Sequence, residues 1–310
     1  MMPIFEQYPV LKKNIPHIHL GEFPTPIRHL KELGKEIGSD YLYLKHDGLS
    51  GPIYGGNKIR KLEFLLGDAL LKGAKAVLTF GFAGSNHALA TAVYARKLGL
   101  KSISILFAQP NAQYVRRNLL FSHVCGAEIH HFKHEMAAYI PTTIILFRKR
   151  LQQGKSPYII APGGSSPLGV IGYVNAGFEL KEQIAGGLVP EPDTIFVPFG
   201  TMGTAVGLTI GLKAAGLKAR LIPVRVVDEH YGNKEKFIKL FKKTQALILS
   251  LDPSFPRVEI TNDEPVIQHG FFGGEYARFT DQGMAAIDLV TKSEGIQLEG
   301  IYRQGYGGPD

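Results

Sequence analysis

The segment "KAVLTFGFAGSNHALATAVYARKLGLKSISILFA" (75–108) decides the fold. Each end is an apolar run of strand length, and the part between them, from residue 85 onward, has the length and small apolar residues of a helix. A strand, a helix and a second strand in this order form a crossover unit whose two strands are parallel. The segment therefore predicts a parallel sheet covered by helices.

The same alternation continues on both sides of this segment. Its apolar runs and helical periods predict strands at 41–47, 127–132, 156–164, 192–200 and 219–227, and helices at 59–70, 142–154, 167–184 and 204–216. Two series of α/β units predict an α/β fold with two lobes, each a mostly parallel sheet flanked by helices. We expect residues 1–54 and 161–310 to form a large lobe and residues 55–160 a small one.

Composition narrows the class of protein. The 310 residues are 45% hydrophobic, which is enough for a large core, and the single cysteine, Cys125, excludes an intrachain disulfide and favours a cytoplasmic setting. Neither a signal peptide nor an apolar run of membrane-spanning length is recognisable. The net charge of +8 is scattered, and its densest run, 233–243, reads as the solvated face of a helix. We therefore expect no nucleic-acid or membrane partner, and a small anionic ligand fits better.

The stretch "FGTMGTAVG" (199–207) predicts a phosphate site. A buried strand runs into a loop of glycine and threonine, Gly200, Thr201, Met202, Gly203 and Thr204, and a helix follows. This layout directs backbone N–H groups at a phosphate beside a helix N-terminus. The stretch is neither a P-loop nor a clean GxGxxG, and an ordinary strand–helix turn is the alternative.

A polar turn follows the strand that begins the 75–108 segment. Ser85, Asn86 and His87 are consecutive at the start of the next helix. Ser85 or Asn86 can simply cap that helix, but three hydrogen-bonding side chains exceed what a cap needs. At the carboxyl end of a strand they suit recognition of a carboxylate or a ring hydroxyl. His87 taken alone is more often structural.

The stretch "IYGGNKIRKLEFLLGDALLKGA" (53–74) places Lys58 at the mouth of a helix. A solvated surface helix is one reading, although cations are unfavourable at a helix N-terminus. With Arg60 and Lys61 close by, we expect the pKa of Lys58 to be lowered, which raises its nucleophilic fraction. Gly55 and Gly56 would let the backbone approach a flat ring. Lysine, phosphate loop and polar turn together fit a phosphorylated aldehyde cofactor bound as an imine.

Metal chemistry is not expected. The run "EIHHFKHE" (128–135) holds His130, His131 and His134, but it contains no HExxH and begins as a strand, which sends adjacent histidines to opposite faces. A surface histidine cluster is the better interpretation. A GxSxG nucleophile elbow is also missing from the sequence.

Beyond these motifs, the sequence resembles the fold type II (tryptophan synthase β-like) pyridoxal-phosphate enzymes. It is most similar to the branch that contains D-cysteine desulfhydrase and 1-aminocyclopropane-1-carboxylate deaminase. The matching stretches are "FPTPI" (23–27), "GGNKIRKLEFL" (55–65), "GSNHALATA" (84–92), "PGGSSPLGVIGYV" (162–174), "GTMGTAVGL" (200–208), "FTDQGMAAI" (279–287) and "LEGIY" (298–302). They span nearly the whole chain, and the Gly-Gly-Asn-Lys-x-Arg-Lys pattern is specific to this branch.

The resemblance implies pyridoxal 5'-phosphate as cofactor, a small amino acid as substrate and a homodimer. Lys58 would hold the cofactor as an imine and, once released, move the Cα proton. Asn86 would contact the ring hydroxyl with His87 beside the ring, and Ser85 would touch the substrate carboxylate and relay a proton. The remaining implied contacts are the phosphate loop Gly200, Thr201, Met202, Gly203 and Thr204, and two tyrosines that flank the substrate, Tyr276 and Tyr302.

The resemblance leaves two activities open. A D-cysteine-like substrate would undergo α,β-elimination to pyruvate, ammonia and sulfide, whereas the deaminase would open a cyclopropane ring to give 2-oxobutanoate and ammonia. The deaminase typically has a glutamate directly after the second tyrosine, and Arg303 stands there. The sequence therefore favours the elimination.

Two departures from the family pattern stand out. The first is "KHDG" (45–48), where relatives have Lys-Arg-Asp-Asp. The second is the segment after Tyr302, which reads "RQGYGGPD" (303–310), whereas relatives continue with Thr-Gly-Lys-Ala and a further helix and strand. We expect this tail to be a frame-shifted reading, which the downstream bases of the gene would test. A poorly active remnant of the family is therefore a third reading.

Overall fold

The computed structural model describes residues 2–276 and 278–298. Tyr302, Arg303 and the 303–310 tail therefore lie outside the described residues, and the expectations attached to them stay predictions. Within the described ranges, no helix combines the length and apolar character that a membrane crossing requires.

Helices and strands alternate through most of the chain. The helices are α1 (Pro3–Gln7), α2 (Pro9–Asn14), α3 (Lys31–Ile37), α4 (Ile59–Leu71), α5 (Asn86–Lys97), α6 (Gln113–Val124), α7 (Glu135–Gln153), α8 (Pro167–Ala185), α9 (Gly203–Ala214), α10 (Lys234–Leu251) and α11 (Asp281–Glu294). The strands are β1 (Ile27–His29), β2 (Tyr43–Lys45), β3 (Ala76–Phe82), β4 (Lys101–Phe107), β5 (Glu128–Phe132), β6 (Tyr158–Ile160), β7 (Thr194–Phe199) and β8 (Arg220–Arg225).

The segment 75–108 folds into the parallel unit that its pattern predicts. β3 and β4 pair in parallel along their whole length, from Ala76 opposite Lys101 to Phe82 opposite Phe107. β5 and β6 extend this sheet on either side, in the order β5-β4-β3-β6, and every pairing is parallel. The predicted α/β crossover is confirmed.

A second parallel pair, β7 and β8, packs against the helices that follow α7. Here α8 and α9 cross so closely that a Cβ added at Gly177 would lie 2.5 Å from the carbonyl carbon of Gly211. α8 also touches α4, where a Cβ at Gly172 would lie 2.0 Å from the Arg60 carbonyl oxygen. The α/β class with helix-flanked parallel sheets is thus confirmed, and α8 packs against both α4 and α9.

Two predicted elements differ from the structure. The strand predicted at 41–47 is only three residues long, and β2 pairs antiparallel with β1 in a separate ribbon. The helix predicted to begin at residue 142 begins at Glu135 instead, and Pro141 lies inside it. A proline removes one helical hydrogen bond, and the cap at His134, whose Nδ1 accepts from the Ala137 N–H at 3.2 Å, helps to offset that loss.

Glu63 ties the N-terminal segment to α4. Its side chain is buried, and Oε1 accepts hydrogen bonds from the backbone N–H groups of Leu20 at 3.0 Å and Gly21 at 3.2 Å. Burial raises the pKa of Glu63 to about 7, although the two backbone N–H groups act in the opposite direction. At a pH between the ordinary value and this raised value, the Glu63 carboxyl is therefore protonated in the folded chain but ionised in the unfolded chain.

This shift predicts a dependence of stability on pH. Between pH 4.5, the ordinary value, and about 7, the folded state binds more protons than the unfolded state, so the free energy of unfolding falls as pH rises. Glu63→Gln keeps an acceptor and does not titrate. We expect it to remove up to about 3 kcal/mol of this decline in urea titrations at pH 5 and pH 8. The exposed Glu32→Gln should leave the slope unchanged, and an identical slope in the Glu63 variant would contradict the assignment.

Candidate active site

Lys58 immediately precedes α4, and a tight turn fixes its position. A Cβ at Gly55 would lie 1.8 Å from the Gly48 carbonyl oxygen, so only glycine fits there. Gly56 has a φ of 110° and donates its N–H to the Asp47 carbonyl at 3.0 Å. Burial lowers the pKa of Lys58 to about 8. The neutral, nucleophilic fraction of this amine near neutral pH is therefore far larger than that of an ordinary lysine, although the charged form still predominates.

The polar turn 85–87 lies at the carboxyl end of β3. Ser85 caps α5, since its Oγ accepts the Ala88 N–H at 3.2 Å, so the capping alternative holds for this residue. Asn86 Oδ1 accepts hydrogen bonds from the Tyr54 hydroxyl at 3.1 Å and from Asn118 Nδ2 at 2.7 Å. Because the amide oxygen is occupied in this way, the amide nitrogen of Asn86 is the group that can donate to a ligand.

His87 is buried and unpaired within the described residues. Neither ring nitrogen has a hydrogen-bond partner there. Burial, and then the positive charges of Lys58 and Lys61, hold the pKa of His87 well below its usual range. The imidazole is therefore neutral, and its ring lies close to both lysines.

The glycine loop 200–203 meets a second turn, 163–165. Met202 adopts a left-handed conformation with φ of 65°, and Gly203 starts α9 and donates its N–H to Ser165 Oγ at 3.2 Å. The Ser165 and Thr201 hydroxyl oxygens are 2.8 Å apart. A Cβ at Gly163 would lie 2.3 Å from Thr201 Oγ1. The two turns thus form one polar cradle at the N-terminus of α9.

Lys61 reaches into this cradle from α4. Its Nζ donates to the Gly163 carbonyl at 3.1 Å and to Ser165 Oγ at 3.2 Å, and a Cβ at Gly203 would lie 2.7 Å from it. Burial, and next the charge of Lys58, hold the pKa of Lys61 well below its usual range. In the described part of the chain this buried amine contacts neutral oxygens. A phosphate in the cradle would supply the missing anion.

Our sequence interpretation treated Lys61 only as a neighbouring charge, and it gave Ser165 no role. One signal for Lys61 was available, because residues three apart lie on one helix face and Lys58 is three residues earlier. The signal for Ser165 was weaker: the stretch "PGGSSPLG" matched the family, but nothing local showed which loop it would meet.

Arg60 does not act as we predicted. Its side chain is 1% exposed and forms ion pairs with Asp47 and Glu179, each at 2.8 Å. These carboxylates neutralise its charge, so the lowered pKa of Lys58 comes from burial rather than from Arg60. The expectation that Arg60 lowers this pKa was wrong.

The ion pairs of Arg60 extend to the cradle. The Tyr173 hydroxyl donates to Asp47 Oδ2 at 2.6 Å and is also hydrogen-bonded to Thr204 in the glycine loop. Lys45 forms a further ion pair with Glu179. This buried network therefore links the start of α4 to the start of α9.

Tyr276 stacks on Phe82 at the end of β3, with ring centroids 4.7 Å apart and an interplanar angle of 23°. The polar turn 85–87 begins three residues after Phe82, where β3 ends, so the structure brings Tyr276 to the same end of the strand as Ser85. Tyr302, the second predicted tyrosine, lies outside the described residues.

The histidine run has local roles in the structure. His130 Nε2 lies 2.9 Å from Glu128 Oε1, and His134 caps α7. Across residues 2–276 and 278–298, no three His, Cys, Asp or Glu side chains converge in a way that would hold a metal ion.

The side chains around the cradle fit a ring aldehyde that carries a phosphate. A buried lysine amine that has no carboxylate partner among the described residues, and a helix N-terminus without a side-chain cap, suit the phosphate. A lysine amine of lowered pKa suits the aldehyde, and the unpaired imidazole of His87 and the amide nitrogen of Asn86 suit the ring. The fold and the cradle together define an α/β enzyme that uses a phosphorylated aldehyde cofactor.

The comparison with known families agrees with this class. The family model described as "Pyridoxal-phosphate dependent enzyme" matches residues 18–302. The chain belongs to this family, and its cofactor is pyridoxal phosphate.

Individual relatives fall within one group of the family. The chain is 34% identical to a "Putative 1-aminocyclopropane-1-carboxylate deaminase" of Pyrococcus abyssi, over 94% of this chain and 84% of that protein. It is 32% identical to a "D-cysteine desulfhydrase" of Yersinia pestis (strain Pestoides F), over 93% of this chain and 84% of that one. A crystal structure described as an ACC deaminase homologue, 34% identical, superposes with a TM-score of 0.80 over 97% of this chain and 86% of that one. The fold is shared with a fungal L-serine ammonia-lyase from Rhizomucor miehei (TM-score 0.57, 21% identity, 90% of this chain and 83% of that one).

The position of Lys61 predicts a role in cofactor affinity. We expect Lys61→Met to raise the dissociation constant for pyridoxal phosphate by on the order of 10- to 100-fold, because it removes the buried cation that faces the phosphate. Lys61→Arg, which keeps the charge on a longer side chain, should restore part of the affinity. Fluorescence titration of the apoenzyme measures both constants. An unchanged constant in the methionine variant would contradict this role.

Proposed function

We propose that the protein is a pyridoxal-phosphate dependent lyase that eliminates sulfide from D-cysteine or a similar small D-amino acid. The observation that supports the proposal is the buried Lys58 amine of lowered pKa, whose charge acts both on His87 of the polar turn and on Lys61 of the phosphate cradle. The D-cysteine desulfhydrase named among the relatives supports the choice of substrate.

In this proposal Lys58 Nζ holds the cofactor and, when released, takes the proton from the substrate Cα. Ser85 keeps its O–H free to donate to the substrate carboxylate, because its capping role uses the oxygen only as an acceptor. The Asn86 amide nitrogen donates to the ring hydroxyl, and neutral His87 lies beside the ring. Tyr276, with Tyr302, flanks the substrate.

The phosphate is held by the loop of Gly200, Thr201, Met202, Gly203 and Thr204, joined by Lys61. When bound, the cofactor supplies an electron sink for the charge left at Cα. The chain's residues then act on a balanced reaction: D-cysteine and water give pyruvate, ammonia and hydrogen sulfide. Lys58 removes the Cα proton, the Cβ–S bond breaks, and the proton is available to the departing sulfur.

A second candidate is 1-aminocyclopropane-1-carboxylate deamination to 2-oxobutanoate and ammonia. The names of the Pyrococcus relative and of the superposed crystal structure favour it, whereas Arg303 in place of glutamate speaks against it. The third candidate, a poorly active remnant, rests on the departure of the 303–310 tail from the family pattern.

One pair of assays separates these candidates. Purified protein with saturating cofactor is given D-cysteine or the cyclopropane amino acid, and pyruvate and 2-oxobutanoate are measured. Pyruvate and sulfide from D-cysteine support the proposal, and L-cysteine serves as the control for the hand of the substrate. Selective formation of 2-oxobutanoate supports the second candidate. The absence of an imine absorbance band, together with the absence of both products, supports a remnant that binds the cofactor poorly or not at all.

We further propose a cytoplasmic homodimer in which residues 55–160 form the small lobe and residues 1–54 and 161–310 the large one. The single cysteine and the family resemblance support the first two parts. The shared sheet of β3 to β6 supports the third.

A further inference from the structure

Side chains from α6 and from the loop before it hold both backbone groups of Gly84, the residue directly before the polar turn 85–87. Gln109 Oε1 accepts the Gly84 N–H at 2.7 Å, and Asn118 Nδ2 donates to the Gly84 carbonyl oxygen at 2.9 Å. Tyr114 packs so closely that a Cβ added at Gly84 would lie 2.6 Å from its ring. The start of the turn is therefore held from outside the β3–α5 segment that contains it.

Asn118 also contacts Asn86 within the polar turn. The same Nδ2 atom that donates to the Gly84 carbonyl lies 2.7 Å from Asn86 Oδ1, so a single amide group joins both residues. Asn118 is 2% exposed, and its Oδ1 has no partner among the described residues. Within that part of the chain, the hydrogen bonds of this buried side chain therefore go to Gly84 and Asn86 alone.

These three groups, the Gly84 carbonyl, the Asn118 amide and the Asn86 amide, form a line that we call the amide relay. A backbone carbonyl only accepts hydrogen bonds, so the Asn118 atom that faces Gly84 must be the amide nitrogen. An amide nitrogen only donates, so the Asn86 atom that faces Asn118 must be the amide oxygen. Turning either side chain over would bring two acceptors or two donors within hydrogen-bond distance of each other.

The amide relay determines what Asn86 offers to a ligand. Since its oxygen is held by Asn118, its nitrogen is the end that can donate to a ring oxygen. A donor at this position stabilises an ionised ring oxygen, whereas an acceptor would require that oxygen to carry a proton. The orientation of Asn86 therefore selects between two protonation states of the ring oxygen.

Tyr54 contacts the same oxygen of Asn86 but does not select its orientation. The Tyr54 hydroxyl lies 3.1 Å from Asn86 Oδ1, and a hydroxyl can both donate and accept. It could pair with either end of the Asn86 amide, whereas Asn118 Nδ2 pairs with the oxygen alone. Removing these two neighbours of Asn86 should therefore have different effects.

We propose that Asn118 is a positioning residue that fixes the amide of Asn86 with its nitrogen towards the cofactor ring. In this role it acts through Asn86. The inference rests on the proposed contact between Asn86 and the ring hydroxyl, and it adds a residue of α6 to the candidate active site.

The variant Asn118→Asp reverses the amide relay at nearly constant size. The aspartate oxygen that faces Asn86 accepts, both when ionised and when its one proton goes to the Gly84 carbonyl, so Asn86 would turn its nitrogen inward and its oxygen towards the ring. We expect the dissociation constant for pyridoxal phosphate to rise by on the order of 10-fold. The visible absorbance of the bound imine should shift from its long-wavelength band towards the shorter-wavelength band of a protonated ring oxygen.

Two further variants grade this effect. Asn118→Leu leaves Asn86 without a fixed orientation and should show the same changes to a smaller extent. Tyr54→Phe keeps the amide relay intact and should change the dissociation constant by less than about threefold. Should Asn118→Asp not fold, Asn118→Leu carries the same comparison.

A double-variant comparison separates positioning from a general loss of stability. Asn86→Ala removes the donor, and in that background Asn118→Asp should raise the constant no further, whereas the effects of unrelated sites would multiply. Fluorescence titration of the apoenzyme gives the constants, absorbance spectra are taken without substrate, and circular dichroism checks folding. The matched control is Asn111→Asp, an exposed asparagine before α6 whose oxygen accepts from Arg116, and it should leave both signals unchanged.

The outcomes distinguish this inference from the proposed function, because no measurement uses a substrate. If Asn86→Ala weakens cofactor binding while the Asn118 variants bind and absorb like the wild type, the positioning role is refuted and the proposed site stands. If Asn86→Ala changes neither signal, the proposed ring contact is wrong and the inference fails with it. Equal losses from Asn118→Asp in the wild-type and Asn86→Ala backgrounds would indicate a merely structural role and would also overturn the proposal.

Discussion

The variant Lys58→Ala is expected to lose the covalent link to the cofactor and to lower turnover by on the order of a thousandfold or more. Lys58 supplies the amine that bonds the aldehyde, and the same amine is the base proposed for the Cα proton. Its pKa of about 8 keeps it reactive near neutral pH. Lys61, the other amine in the site, points into the phosphate cradle, where it donates to the Gly163 carbonyl and to Ser165.

Two measurements check this expectation independently. Borohydride reduction followed by intact mass spectrometry should add the mass of one reduced cofactor to the wild-type chain and none to the variant. Visible absorbance of the imine should disappear in parallel. The control is Lys72→Ala at the other end of α4, where an exposed lysine pairs with Asp68, and this variant should keep both signals. A reduced adduct on the Lys58→Ala chain would refute the assignment of Lys58.

Arg60→Met is expected to lower the free energy of unfolding by about 3–5 kcal/mol, because it leaves buried carboxylates without their cation. Glu179 is almost completely buried, and the charge of Arg60 holds the pKa of Asp47 and Glu179 below the usual range against the effect of burial. Removing Arg60 should therefore also make stability fall further at high pH, where both carboxylates ionise. Urea titrations at pH 5.5 and pH 8 measure both effects.

The matched control is an exposed ion pair. Lys35 pairs with Glu32 at 2.8 Å, and both side chains are more than half exposed, so Lys35→Met should change the free energy of unfolding very little at either pH. A double variant, Arg60→Met with Glu179→Gln, removes one stranded carboxylate and should recover part of the loss. If Arg60→Met cost no more than Lys35→Met, the network would not stabilise the start of α4.

The network of ion pairs and hydrogen bonds also connects Arg60 to the phosphate cradle, so Arg60→Met should have a second measurable effect. Tyr173 connects Asp47 to Thr204, and Arg60 lies two residues after Lys58. Loss of Arg60 should therefore weaken cofactor binding as well as stability. Tyr173→Phe, which breaks the connection to Thr204 without removing a charge, should weaken binding with a smaller loss of stability.

Much of the fold followed from local pattern. The 75–108 unit, the helix after Lys58 and the helix at the glycine loop were each predictable, because apolar periodicity and glycine turns are properties of a short stretch. The same holds for the polar turn 85–87 and for the lysine that the family resemblance singled out. The antiparallel pairing of β2 and the early start of α7 were not predictable in this way, since the first depends on a distant partner strand and the second on a histidine cap.

The sequence by itself determined the parallel α/β class and the family, and it singled out Lys58, the polar turn 85–87 and the glycine loop as candidate site residues, because each of these signals lies in a short contiguous stretch. Only the tertiary structure decided which role each basic residue near Lys58 has. It gave three neighbouring basic residues at the start of α4 different roles: an amine of lowered pKa at Lys58, an ion-paired Arg60 and a cradle residue, Lys61. The physical reason is that each charge is set by its surroundings. Those surroundings are Glu179 and the 163–165 turn, more than a hundred residues away along the chain.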